Sequence, residues 1–527
     1  PEPLSYLLVK VFAAPEPRGF QLNASDPGDN ELLPRAYPKA PPRIPHGIGD
    51  FGPDAWRFVD WLANAKQRLW QWLPATPVGP GDSPYQSPSA FAGSPLMVAL
   101  EPLLERGWLD RIELPAEPFP SARVDFRRVI PWREAQLRRA HAGFEAHAAA
   151  ADRKAFDTWC HAESSWLDEY ALFMALFMAA GMKPWWQWAE PLRKRDATAM
   201  AQAKRTHAKE TGFWRFVQWC WDEQCRALKR HANERGIALV GDIPIYVADN
   251  SADVWSRQDL YELDDDGLPT VIAGAPPDDL GPDGQRWGNP IYRWERMAAE
   301  DYAWWTARVR RVLAQADIVR IDHFRGFAGY WEIPTSSATA KVGRWVEGPR
   351  LALFEAIEKQ LGQLPIIAED LGLITRDVVE LIDSCGFPRM KVLIFGFGGD
   401  GTHEYLPHNC DPNTIVYTST HDTDTARGWW DQASERERHF AGTYLACDAA
   451  SFHWAAIRAC MNSVSRLAVF PLQDVLGLPT EHRMNLPGTL TPANWSWRFE
   501  WSMLGEEHAR VLALMALPVA RELGPFL

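Results

Sequence analysis

The chain has 527 residues, 46% hydrophobic and 23% charged, which predicts a globular protein with a large core. Its formal net charge of −13, with no basic run, argues against nucleic acid or an anionic membrane surface as a partner. The seven cysteines show no CxxC spacing, so we expect reduced thiols in a cytoplasmic protein rather than disulfides or a zinc site. No stretch reaches the ~18 to 20 apolar residues of a membrane span.

Three features mark the first 235 residues of the chain. Residues 1–45 are rich in Pro, Asn, Asp and Gly and form an atypical segment, in which Tyr6–Phe12 is a candidate strand. This apolar run lacks a preceding basic region, so we expect it not to be a secretion signal. A helical pattern begins at Pro53, near the first turn where proline is favoured. From about 100 to 235 the sequence is mostly helical and predicts an inserted subdomain.

Short apolar runs rich in β-branched residues predict the strands of the core. They lie at 69–74, 237–247, 317–323, 365–370, 391–397, 414–420 and 467–472. Helix-like segments separate most of them, which indicates parallel βαβ units, and the N-terminal run is the eighth candidate. No glycine-rich dinucleotide fingerprint follows a strand. We therefore predict an α/β fold in which residues 1–527 form one (β/α)8 TIM barrel with inserted, mainly helical subdomains.

Four carboxylates stand at or just past the ends of these apolar runs. They are Asp242, Asp322, Glu369 and Asp422. A charge there would be costly inside a core, but all strands of a parallel barrel open at that end onto one face. The sequence therefore predicts a site built from carboxylates that different strands contribute.

Two of the carboxylates have neighbours that bear on their ionisation. Arg320 and Asp322 are two apart in a strand and so share a face, where a guanidinium favours the ionised carboxylate that a nucleophile needs. A structural ion pair is the alternative. Apolar residues before Glu369 should raise its pKa, as a general acid requires, and Asp370 is its rival. Since adjacent strand residues face opposite ways, one of these two acids should point into the barrel wall.

Each of the remaining sequence features has either a chemical or an ordinary structural explanation. Asp422 and Asp424 follow a strand, where helix capping is the alternative role for either. The glycine-rich 396–401 lacks the ending of a phosphate loop and predicts a turn. The 27 tryptophans are typical of core packing and of sugar contacts. Several carboxylates beside aromatic residues favour glycoside chemistry, in which a retaining enzyme places nucleophile and acid/base ~5–5.5 Å apart.

Long sequence strings resemble the 4-alpha-glucanotransferases, the amylomaltase or disproportionating enzyme family (glycoside hydrolase family 77) of the alpha-amylase clan. The resemblance runs from GIGDFGPDAWRF (47–58) to the C-terminus. Its landmarks include GDSPYQSPSAFAGSP (81–95), RIDHFRG (320–326), AEDLG (368–372), YTSTHDTDT (417–425) and PLQDVLGLPTEHRMNLPG (471–488).

The resemblance implies an enzyme that cleaves an α-1,4-glucan, holds the donor part covalently and passes it to another glucan. It implies Asp322 as the nucleophile, Glu369 as the acid/base and Asp422 as the transition-state stabiliser. It also implies substrate contacts from Ser83, Tyr85, Trp287, Arg320, His323, His421 and Asn485. Maltooligosaccharides or α-1,4-glucans would be the partners, with no organic cofactor and no catalytic metal. The oligomeric state stays open.

The sequence departs from the family pattern at several points, none of them a catalytic carboxylate. Residues 1–46 do not match the family's usual first strand, and Asp279-Leu280 replaces an aromatic pair. An aromatic pair there would cover the acceptor site, so its loss predicts more hydrolysis relative to transfer. An α-glucan hydrolase with the same carboxylates is the alternative function, and a non-catalytic glucan-binding relative is the third.

Overall fold

The protein is described by a computed structural model that covers residues 10–13, 46–277 and 282–517. The strands of this part are β1 (Lys10–Ala13), β2 (Gln67–Gln71), β3 (Ala238–Pro244), β4 (Val271–Ala275), β5 (Gln285–Pro290), β6 (Ile318–Asp322), β7 (Gly329–Pro334), β8 (Arg344–Glu347), β9 (Ile366–Ala368), β10 (Arg389–Val392), β11 (Thr414–Tyr417) and β12 (Leu467–Pro471). Eight of them close into a barrel, in the order β1-β12-β11-β10-β9-β6-β3-β2.

The barrel confirms the predicted (β/α)8 architecture, with one departure from an all-parallel sheet. All neighbouring pairs from β2 round to β12 are parallel. The short β1 closes the ring but pairs antiparallel with both β12 and β2. The candidate N-terminal strand is thus observed at Lys10–Ala13, and residues 6–9 of that prediction lie outside the described residues.

Apolar side chains fill the barrel interior, which explains why the strands read as continuous apolar runs. Fully buried interior residues include Leu69, Val240, Ile318, Ile367 and Ile415. Each predicted strand is present, with ends within a few residues of the expected ones. The largest difference is at 391–397, because β10 ends at Val392 and a 3₁₀ turn follows.

The helices cover the outside of the barrel and fill the long connection between β2 and β3. That connection carries α2 (Glu101–Glu105), α3 (Phe126–His147), α4 (Ala150–Ala162), α5 (Ser164–Ala179), α6 (Glu190–Arg193), α7 (Ala197–Thr206) and α8 (Ala208–Glu234). The others are α1 (Pro53–Asn64), α9 (Ala252–Ser256), α10 (Trp294–Ala299), α11 (Ala303–Gln315), α12 (Arg350–Leu361), α13 (Arg376–Cys385), α14 (Ala426–Gln432), α15 (Glu435–Leu445), α16 (Phe452–Asn462), α17 (Leu472–Val475) and α18 (Glu506–Ala516). The division into a barrel and a subdomain at about 100–235 stays a prediction.

A second sheet of four antiparallel strands, in the order β5-β4-β7-β8, was not predicted from the sequence. Its strands are short and three of them contain glycine, in VIAGA, QRWGNP and GYWEIP, so no clear alternation of polar and apolar residues marks them. The sheet matters for function because β5 carries Trp287 to the mouth of the barrel.

Among the residues that the structure describes, no helix is both long enough and apolar enough to cross a membrane.

Gly93 is expected to be sensitive to a single added methyl group. Its backbone N–H and C=O are bonded to the Gln218 amide at 2.7 and 2.8 Å, and its α-carbon faces the fully buried Trp221 ring of α8. A Cβ at Gly93 would lie deep inside van der Waals contact with that ring. We therefore expect Gly93→Ala to cost about 1–3 kcal/mol of stability, seen as a lower thermal unfolding midpoint. Gly401→Ala is the matched control, because a Cβ there meets nothing within 4 Å; equal midpoints for both variants would contradict the prediction.

Candidate active site

A cleft opens at the carboxyl ends of the barrel strands, where a parallel barrel places its active site. Predicted site residues in its wall are Tyr85, Trp287, Asp322, His323, Asp422 and Asn485. Other wall residues are Gln86, Pro244, Ile245, Tyr246, Gln285, Asn289, Pro487, Gly488 and Trp495.

Arg320 lies beneath the cleft, 2% exposed, between two carboxylates. Its Nη1 donates to both carboxylate oxygens of Asp242 at 2.7 Å, and its Nη2 lies 2.9 Å from Oδ1 of Asp322. This contact confirms that Arg320 and Asp322 share a strand face. Burial raises the pKa of Asp322, and the negative charges of Asp242 and Asp422 add to the rise, while Arg320 acts against it. The guanidinium therefore favours the ionised form of Asp322 as expected, but it does not restore the ordinary pKa.

Glu369 is the buried acid of the site, and Asp370 is turned away from it. Main-chain N–H groups of His323 and Leu371 donate to the Glu369 carboxylate at 2.6 and 2.8 Å. Burial, and next the negative charge of Asp322, raise the pKa of Glu369 to about 8. The Asp370 carboxylate instead accepts from Arg389 Nε at 2.7 Å and from the Met390 N–H at 2.8 Å. The prediction that one of the two acids points into the wall is confirmed for Asp370.

Asp422 is held by its chain neighbour and by an amide from a distant loop. Its Oδ1 accepts from Asn485 Nδ2 at 2.6 Å, and its Oδ2 lies 3.1 Å from His421 Nε2. Burial alone would raise its pKa, but His421 and the Asn485 hydrogen bond outweigh it, and the pKa lies well below its ordinary value. The capping alternative is wrong for Asp422, because α14 is capped by Thr425, whose hydroxyl accepts from the Gly428 N–H at 2.9 Å.

Tyr85 joins the two sides of the site. Its hydroxyl donates to Asp242 Oδ2 at 3.1 Å and lies 3.0 Å from His421 Nε2, and its ring stacks on His421 at 5.4 Å between centroids. The Ser83 hydroxyl accepts from the Tyr85 N–H at 3.3 Å. Ser83 is absent from the cleft wall among the described residues, so it shapes the turn that presents Tyr85.

The side chains of His323 and Trp287 form the part of the cleft wall next to Asp322. Their rings meet edge to face at 4.6 Å. His323 takes a left-handed backbone conformation (φ 54°), which lets its N–H reach Glu369 while the ring lines the cleft. Burial, with the nearby positive charge of Arg325, lowers the pKa of His323 to about 3, so its imidazole is neutral at physiological pH.

Two residues of the site had no role assigned from the sequence. The sequence shows Asp242 only as a strand-end carboxylate. Its partner is Arg320, which the register of β3 and β6 places beside it. Trp495 stands 5.6 Å from Tyr85 and 6.0 Å from His421 between ring centroids, in a left-handed conformation (φ 61°). One tryptophan among 27 carried no signal of this position.

The chemical capacity of the cleft comes from three carboxylates with different proton affinities. With a pKa of about 8 Glu369 holds a proton at neutral pH, whereas Asp422, with its lowered pKa, is ionised there. Pairs of acids with pKa values driven apart are the means by which one site supplies both a proton donor and a negative charge. A barrel cleft with this set and aromatic walls is typical of enzymes that act on glycosidic bonds.

The comparisons with known proteins agree with this class. The glycoside hydrolase family 77 model, described as 4-alpha-glucanotransferase, matches residues 42–503. The chain is 45% identical over 497 residues to the 4-alpha-glucanotransferase of Thermus thermophilus, covering 92% of this chain and 98% of that protein. It is 43% identical to the enzyme of the same name from a Synechocystis species, covering 87% and 92%. The chain belongs to the 4-alpha-glucanotransferase family.

Solved structures support the same assignment. The amylomaltase from Streptococcus agalactiae in complex with acarbose matches with a TM-score of 0.87 and 34% identity, over 90% of this chain and 97% of that one. The amylomaltase from Corynebacterium glutamicum, at 19% identity and a TM-score of 0.70, shares the fold over 90% of this chain and 73% of its own. Asp279 and Leu280, which replace the family's aromatic pair, lie outside the described residues.

The raised pKa of Glu369 predicts an alkaline limit to activity. Because the protonated form is the donor and its pKa is about 8, kcat/KM on maltooligosaccharides should fall as the pH rises through about 8. The check is a pH profile for the wild type, beside Glu369→Gln assayed on an α-glucosyl fluoride, whose leaving group needs no proton. That variant should lack the alkaline limb; the same limb in both proteins would assign it to another group.

Proposed function

We propose that this protein is a 4-alpha-glucanotransferase that transfers α-1,4-glucan segments between maltooligosaccharides by a retaining double displacement. The observation that carries this proposal is that Asp322, paired with Arg320, lies in the cleft wall beside His323, whose main-chain N–H donates to the Glu369 carboxylate. We also propose a cytoplasmic location, which fits seven cysteines without a disulfide.

In the first step, an Asp322 oxygen attacks the anomeric carbon of the donor sugar as the glycosidic bond breaks. The Glu369 proton goes to the leaving glycosidic oxygen, and an ester joins the sugar to Asp322. Positive charge develops on the ring in the transition state, where Asp422 faces it. The low pKa of Asp422 supports this role, because its negative charge is retained at neutral pH.

In the second step, the ionised Glu369 takes a proton from an acceptor hydroxyl, which attacks the ester and releases Asp322. Transfer then wins over hydrolysis only if the acceptor sugar displaces water from the ester. Trp287 and Trp495 offer flat apolar walls for that purpose in the described cleft. The wall residues Tyr85, His323 and Asn485 supply polar groups for the hydroxyls of the donor ring, and His421 supports Tyr85 from behind.

Product analysis on maltotriose tests the proposal. We expect longer oligomers together with glucose from the wild type, whereas only shorter sugars would indicate the hydrolase alternative. Asp322→Ala should abolish turnover because no ester can form, and Glu369→Gln should be inactive on maltotriose because the leaving oxygen receives no proton. Glu369→Gln given the glycosyl fluoride should accumulate a glycosyl ester on Asp322, detectable by peptide mass spectrometry. A label on any other residue would refute the catalytic assignment.

Arg320 should be required for turnover through the shape of its guanidinium. A lysine keeps the charge but cannot hold Asp242 and Asp322 at the same time as the planar fork does. We expect Arg320→Lys to lower kcat by about 10- to 100-fold, the effect of one charge-assisted hydrogen bond lost in the transition state. The measurement is steady-state kinetics on maltotriose.

Arg311→Lys is the matched control for that experiment. Arg311 is equally buried and pairs with Asp222 of α8, outside the cleft. The control should lower thermal stability and leave kcat unchanged. Wild-type kcat in Arg320→Lys would show that Arg320 is only a structural ion pair.

A further inference from the structure

The segment that follows β12 packs under the loop that carries His421 and Asp422. It begins with α17 (Leu472–Val475), and its Asp474 side chain is 0% exposed. Among the residues of this segment, the mechanism above uses Asn485 and gives Asp474 no role.

Asp474 binds both ends of the catalytic loop at once. Its Oδ2 accepts from the hydroxyls of Thr418 and Ser419 at 2.6 and 2.7 Å, just after β11. Its Oδ1 accepts from the Ala426 N–H at 2.7 Å, where α14 begins. One carboxylate therefore fixes the points at which the chain leaves the barrel and re-enters a helix, with Asp422 midway between them.

The same segment holds the middle of the loop. The Asn485 N–H donates to the His421 carbonyl at 3.0 Å, and Arg483 Nη2 donates to the Asp422 carbonyl at 3.0 Å. Asp424 is bonded through its Oδ2 to the Thr480 hydroxyl at 2.6 Å. The loop backbone is thus set from one side, by residues 474–485.

Asp474 is an unusual choice for a purely structural contact. No Lys, Arg or His among the described residues forms an ion pair with it, so a buried negative charge is supported by three hydrogen-bond donors alone. Burial raises its pKa to about 6, although the Thr418 and Ser419 hydroxyls and the Ala426 N–H lower it. The negative charge of Asp424 in the same loop adds to the rise. A buried carboxylate that receives three donors and no cation is specific for the ionised, acceptor-only form.

We propose that Asp474 is a positioning residue for catalysis, which holds the 418–426 loop so that Asp422 meets the reacting sugar in the transition state. The inference rests on the proposed function of Asp422. Because Asp474 touches no wall of the cleft, its loss should impair the chemical step in both displacements and leave substrate binding nearly unchanged.

Asp474→Asn tests the inference, because the amide is isosteric but replaces one acceptor oxygen with a donor. We expect kcat on maltotriose to fall by about 10- to 100-fold with KM within about twofold of the wild type. An α-glucosyl fluoride should not restore the rate of ester formation in this variant, whereas in Glu369→Gln it lets the ester form without a proton donor, because Asp422 acts on the sugar ring and not on the leaving group. Wild-type kcat in Asp474→Asn, or rescue by the fluoride, would overturn the inference.

Asp317→Asn is the matched control for a merely structural effect. Asp317 is a largely buried carboxylate at the opposite end of the barrel, where it accepts from the Leu239 N–H at 2.7 Å and Asn233 Nδ2 at 2.9 Å. It should lower the thermal midpoint and keep kcat. Equal losses of kcat in both variants would assign Asp474 to stability alone.

A milder variant covers the case in which Asp474→Asn does not fold. Ser419→Ala removes one of the three donors and should lower kcat about 3- to 10-fold, again without fluoride rescue. An unchanged kcat in Ser419→Ala would then overturn the inference. The proposed function fails separately, if the wild type does not lengthen maltotriose; the role of Asp474 is then still read from the rate of fluoride hydrolysis.

Discussion

The active site depends on one buried cation. Arg320 is enclosed by the barrel, and the two carboxylates that it binds come from neighbouring strands, Asp242 from β3 and Asp322 from β6. Without the guanidinium, two negative charges would stand together in a poorly solvated space, which is strongly unfavourable. The strand register that pairs position 242 with position 320 therefore also sets the charge balance around the carboxylate at position 322.

Around that cation, local contacts and not residue type determine the pKa of each acidic side chain. Among the described residues, the Glu369 carboxylate accepts hydrogen bonds from main-chain N–H groups, and burial and the nearby charge of Asp322 raise its pKa. Asp422 instead contacts His421 and the Asn485 amide, which lower its pKa. Both lie at the ends of barrel strands, where the backbone provides donors at fixed places. The fold thus supplies the geometry, and a few side chains set the proton affinities.

The barrel strands and the strand-end acids could be predicted from the sequence because both depend on local patterns, apolar runs and the charges that end them. The antiparallel sheet could not, since its strands are short and interrupted by glycine and are stabilised by pairing with each other. Asp242, Asp474 and Trp495 could not be assigned for a different reason. Their functions lie in contacts with residues far along the chain, and a single sequence gives no register between distant segments.

The hydrogen bond between Tyr85 and His421 joins positions 336 residues apart, and the cleft also needs Asn485 and Trp495 near the C-terminus. During synthesis, β6 with Asp322 therefore leaves the ribosome long before the residues that complete its surroundings. Helices of the β2–β3 connection can fold early from local contacts, but the ring closes only with β12. A growing chain is consequently inert toward its substrate until residues 485–495 have emerged and joined the cleft.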